Sequence, residues 1–230
     1  MTAPQPDADR AAPRELSTLA ADALRILVWV AVGTWLATTI AHLADLALFD
    51  RQVLLFDVES PESVAAWASS TVLALAAAAA GLLAIVRRPV AWPFVLLAIA
   101  LALLSADDDI GIFDQILRHR LPSRPDPDVV IYIVSFGPLM AATFVLLGRM
   151  ARRAPARVAR TIWWGLGLIV VAVVGELLVT VVDIPALTVG QWPYELEVAI
   201  EEGFELLGVA LIAAALFATL VEDLLHARNS

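Results

Sequence analysis

The sequence predicts an all-α fold: a polytopic membrane helix bundle of about six transmembrane helices with both termini cytoplasmic. Three observations carry this. The chain of 230 residues is 60% hydrophobic, against roughly 45–50% apolar residues in soluble domains. Its apolar residues fall into six stretches near the roughly 20 residues that cross a hydrocarbon core. Its arginines gather on alternate connections, the pattern of the positive-inside rule.

Composition also excludes chemistry. There is no cysteine, so disulfides, thiolate metal sites and thiol catalysis are absent. All basic residues are Arg, and without Lys there is no Schiff-base chemistry. The net charge of −9 matters less than where the charges lie. No basic stripe with interleaved aromatics exists, so nucleic acid is not an expected partner.

In chain order, residues 1–22 are polar and read as a disordered cytoplasmic tail. Residues 23–225 form the transmembrane domain. The first span, 24–49, carries Arg25, His42 and Asp45. A polar loop follows, with Pro61 suited to a helix start. The second span, 64–86, contains the small-residue stretch 74–81, whose face suits close helix packing in lipid. Arg87-Arg88-Pro89 ends it. The third span, 90–106, runs into Asp107-Asp108-Asp109. Segment 110–121 has an apolar face against Asp114, Arg118, His119 and Arg120, which predicts a helix in the membrane interface or an extension of the third span. The fourth span is 129–148, and a loop with Arg149, Arg152, Arg153, Arg157 and Arg160 follows. The fifth, 161–182, contains Glu176, and the sixth is 197–221. Trp29, Trp35, Trp92, Trp163 and Trp164 read as interfacial anchors or lipid-facing side chains. The Arg-rich connections and both termini fall on one side, which places the protein in a cell (inner) membrane, with the lipid bilayer as its first partner.

Depth follows from the helical rise of about 1.5 Å per residue. Counted from the Arg-rich ends, His42, Asp45, Ser69, Ser70, Asp107, Glu176, Glu201 and Glu205 all lie roughly 22–31 Å along their helices. The polar residues therefore share the outer third, and the inner two thirds are almost purely apolar. Glu197, Glu201 and Glu205 are four apart and line one helix face, with Glu202 off that line. Carboxylates this close do not all ionise without a cation or shared protons.

Three readings stay open. A divalent cation would take Asp107, Asp108, Glu176, Glu201 and Glu205 as oxygen ligands, with His42, Asp45 and Glu202 as further candidates. Protonated carboxyls would hydrogen-bond across helices or relay protons. A structural staple would bind nothing. In a catalytic version Asp107 or Glu201 activates water on a lipid-like substrate with help from the metal; whether the protein is an enzyme stays open. Ser69, Ser70 and Ser105 read as structural polar residues. Neither a haem, which needs paired inward His, nor a nucleotide is expected. A partner membrane protein is the expectation if the acids only staple helices.

The motifs Phe56-Asp57, Trp67-x-Ser69-Ser70, Leu104-Ser105-x-Asp107, Gly175-Glu176 and Glu201-Glu202-x-x-Glu205 together resemble a family of uncharacterised bacterial multipass membrane proteins. The resemblance covers about residues 48–215. Asp108 stands where that family has Glu, and Phe113 stands where it has His. The pattern is also distantly similar to membrane hydrolases of the alkaline ceramidase type, which combine Ser, acids and several His around zinc. Only His42, His119 and His226 occur here, and His226 lies at the opposite membrane face, so a three-His zinc site cannot be built.

Overall fold

The computed structural model describes residues 8–49, 53, 55–57, 63–88, 91–110, 128–182 and 192–229. Among them the all-helical class holds. Six helices follow in order: α1 (Ala8–Phe49), α2 (Val64–Val86), α3 (Trp92–Ile110), α4 (Asp128–Ala151), α5 (Ala156–Val182) and α6 (Trp192–Asn229). Within these, the stretches Ala21–Leu48, Val64–Val86, Ala156–Gly175 and Trp192–Ala227 are long and apolar enough to cross a membrane. The apolar stretches of α3 and α4, Trp92–Asp107 and Gly137–Ala151, are shorter. These are the helices of a membrane protein. Segment 111–127, which holds most of the expected interfacial helix, lies outside the described residues.

Helix starts and stops have local causes. The Ser63 side chain accepts a hydrogen bond from the Ala66 N–H at 3.0 Å and caps α2, satisfying one donor of its open first turn. Helix α1 reaches back to Ala8, into the stretch read as a tail; its alanines are the strongest helix formers. Helix α6 starts at Trp192, five residues before the sixth span predicted from sequence.

The bundle is built around α6, which packs against α1, α2 and α5. Of its apolar window 67% is buried, against 17% for α1, so α6 is the hub and α1 an outer helix. Small side chains make this possible, because apolar bulk gives no advantage over lipid and close approach must supply the contact. Ala213, Ala214, Ala215 and Ala218 of α6 are buried, as are Ala76, Ala79 and Ala80 of α2. The closest crossing joins α5 and α6. A Cβ on Gly165 would lie 2.7 Å from the Gly208 carbonyl oxygen, and one on Gly208 would lie 2.8 Å from the Gly165 carbonyl oxygen. Only glycine at both positions lets the two backbones meet.

Two buried threonine hydroxyls are satisfied within their own helices. Thr219 donates to the Ala215 carbonyl at 2.8 Å and Thr143 to the Leu139 carbonyl at 2.9 Å, as an apolar solvent demands. The outward faces are apolar, with Trp29, Ile40, Leu48, Ile85 and Trp164 each more than 60% exposed. Such a surface fits lipid, not water.

At one end, α2 is tied to α6 by Arg87, whose guanidinium grips Asp223 through Nε and through Nη2 at 2.9 Å. The same guanidinium lies 5.3 Å from the Phe94 ring centroid on α3. The hydrogen bond to Asp223 raises the Arg87 pKa above its ordinary value, against a smaller opposing effect of burial.

Candidate functional site

The polar residues collect at the other end of the bundle. Helix α1 runs antiparallel to α6, so the last turns of α1 meet the first turns of α6. There His42 Nε2 lies 3.3 Å from Glu195 Oε2, with the side chains 1% and 0% exposed. Asp45 lies on the same face of α1, three residues on, and is also 1% exposed. Its Oδ1 accepts from the Val53 N–H at 3.3 Å. Its Oδ2 has no hydrogen-bond partner among the described residues. Val53 is thus brought against α1, and two further backbone bonds follow: the Phe56 N–H donates to the Val53 carbonyl at 2.8 Å and the Val64 N–H to the Leu55 carbonyl at 2.9 Å. Asp57, in the same turn, is buried.

Glu195 was not among the sequence candidates. It sits in the first turn of α6, in the connection left before the predicted sixth span. Two signals point to it. The depth of His42 along α1 matches the start of the last helix, and a carboxylate in a first helical turn is favoured by the helix dipole.

A second contact lies about two turns deeper. A Cβ on Gly203 would fall 1.8 Å from Trp35 Nε1 and 2.4 Å from Trp35 Cδ1, so the indole occupies the space that a side chain would take. Its ring also lies 6.3 Å from that of Phe204. Trp35 therefore packs into the α1–α6 seam, which corrects its reading as an anchor or lipid-facing residue. Trp29, Trp92, Trp163 and Trp164 are exposed.

The remaining candidates divide. Ser70 and Ser105 join α2 to α3 reciprocally: Ser70 Oγ donates to the Ser105 carbonyl at 3.2 Å and Ser105 Oγ to the Ser70 carbonyl at 2.9 Å. Ser69 is half-buried on α2, and Asp107 half-buried near the end of α3. Glu201, Glu202 and Glu205 are half-buried on α6. Asp108 and Glu176 stand on α3 and α5, and their side chains lie outside the described residues. Among the described residues no three His, Asp or Glu side chains are grouped to hold a metal ion.

The family described as Domain of unknown function (DUF8692) matches residues 21–219. The chain belongs to the DUF8692 family. No curated protein and no solved structure matches it. An uncharacterised family is what the motif resemblance pointed to; the comparison gives no support to the likeness with alkaline ceramidases. The DUF8692 match takes in His42, Asp45, Glu195, Glu201, Glu202 and Glu205, and it stops short of Asp223, the carboxylate gripped by Arg87.

The chemistry open to the site follows from its groups. An imidazole and a carboxylate in contact share or pass one proton between Nε2 and Oε2. Asp45, one turn along α1, adds a second carboxylate.

Proposed function

We propose that the protein is a six-span inner-membrane protein with cytoplasmic termini whose His42–Glu195 pair, with Asp45, is a proton-holding centre in the outer leaflet half of the bundle. The observation that carries this is the full burial of two carboxylates and one imidazole where α1 meets α6. Buried ionisable groups within a membrane bundle are rare and mark function by default. A buried carboxylate oxygen without a partner, such as Asp45 Oδ2, is costly to leave in an apolar interior, and a proton is the smallest group that would satisfy it. The role suited to such a centre is proton binding that is coupled to a step elsewhere in the bundle.

A second reading keeps the acids of α6 as a divalent-cation site: Glu201 and Glu205 with Asp107, and Asp108 and Glu176 behind them. Its support is that Glu201, Glu202 and Glu205 are only half-buried and follow Glu195 within three turns of one helix. This is the version in which a lipid-like substrate would be hydrolysed.

One experiment separates the two. Infrared spectra of the detergent-purified protein are expected to show a protonated-carboxyl C=O band that disappears in Asp45→Asn or Glu195→Gln. Elemental analysis of the same samples is expected to find no stoichiometric metal. A stoichiometric divalent metal that leaves in Glu201→Gln/Glu205→Gln would replace the first reading with the second. The absence of both band and metal would reduce the pair to a helix pin.

The topology is tested independently. A reporter fused after Ser230 is expected to read cytoplasmic. A periplasmic signal would overturn the six-span count.

A further inference from the structure

We propose that the basic turn between α4 and α5 is a headgroup site for anionic phospholipid. Arg149 ends α4, Arg152 and Arg153 form the turn, and Arg157 and Arg160 open α5. Residues 149–160 contain five Arg and no acid, in a chain whose net charge is −9. All five are exposed, and among the described residues no carboxylate pairs with any of them. Arg87, at the same end of the bundle, shows the contrast: its charge is met by Asp223 and by the Phe94 ring. The dipole of α5 does not offset the patch either, because it presents its positive end there and its first turn holds no acid.

What lies beside the patch identifies the occupant. Trp163 and Trp164, directly after Arg160 and Thr161-Ile162, are 49% and 65% exposed. Trp29 and Trp92 stand at the same end, 66% and 58% exposed. Indoles settle at the boundary between acyl chains and headgroups, so this ring marks the headgroup level. The arginines lie just beyond it, at the level of the lipid phosphates. Above the ring α5 offers exposed Val170, Val171 and Val174 to acyl chains. Guanidinium groups bind phosphate oxygens through paired N–H donors. A lipid with a net negative headgroup supplies both the charge and the chains. A zwitterionic lipid supplies only the chains, and free phosphate only the charge.

The test uses the full chain, purified in mild detergent and delipidated. Native mass spectrometry counts lipids retained from phosphatidylglycerol or phosphatidylcholine, and a thermal melt is followed with each. The wild-type protein is expected to retain phosphatidylglycerol several-fold over phosphatidylcholine and to melt higher with it. In Arg152→Gln/Arg153→Gln/Arg157→Gln, whose positions are exposed, the preference is expected to fall towards parity at unchanged helical content. The corresponding Lys variant keeps the charge without the planar fork, and is expected to fall between. Equal retention of both lipids by the wild type, an unchanged preference in the Gln variant, or full reproduction of the melting shift by inorganic phosphate alone would each overturn the proposal.

Discussion

Replacing Glu195 with Ala is expected to lower the stability of the detergent-solubilised protein by about 3–5 kcal/mol, the usual effect of removing one member of a buried ionic pair. His42 is 1% exposed and meets Glu195 at 3.3 Å, so the truncation leaves the imidazole facing a cavity. The size of the effect reflects what stays behind more than what is lost. Removing both members tests this. His42→Leu/Glu195→Leu is expected to be less damaging than Glu195→Ala, because two apolar side chains of adequate volume replace two polar ones. The check is an unfolding titration of Glu195→Ala, of His42→Leu and Glu195→Leu singly, and of the double. If the two single losses simply add in the double variant, the side chains are not coupled and the pair is not the centre described above.

The second large effect is expected at the α5–α6 crossing. Gly165→Ala places a methyl 2.7 Å from the Gly208 carbonyl oxygen and 2.9 Å from Ile212 Cγ1. The first of these is backbone and cannot step aside, so the helices must separate. A loss of about 1–3 kcal/mol is expected, as for overpacking of a filled interior. Gly167, two residues along the same helix, has nothing within 4 Å of a Cβ built on it. Gly167→Ala is therefore expected to be neutral or to gain up to about 1 kcal/mol from helix propensity. Thermal melts of the two variants side by side give the answer. Equal losses would mean that glycine matters there for helix flexibility and not for the crossing.

The sequence made some of this legible and hid the rest for a consistent reason. Counting along each helix gives height. It placed the acids, serines and His42 in one half of the bundle, and the structure puts His42, Asp45, Ser70 and Ser105 at the same end. The small-residue stretch 74–81 marked a packed face, and Ala76, Ala79 and Ala80 are fully buried. What counting does not give is direction around each helix axis. Trp35 points into the seam, because the gap it fills belongs to Gly203, far along the chain. Glu195 was missed because it falls just before the predicted sixth span, 197–221, while the helix starts at Trp192. The Gly165–Gly208 contact carries no local signal either: each glycine looks like a weak point in its own helix until the other is set against it.

The position of α6 has a consequence for biosynthesis. The other five described helices precede it in the chain, yet three of them depend on it for their inner faces. A ribosome that has released α1 to α5 has therefore made a set of helices with an empty centre. Until α6 emerges, His42 and Asp45 must sit in the bilayer or at the insertion machinery without Glu195. The nascent protein can close only once α6 has been made and slides in between α1, α2 and α5. A chain cut before Trp192 is then not a smaller version of the protein but an exposed intermediate, the sort of species that membrane quality control removes.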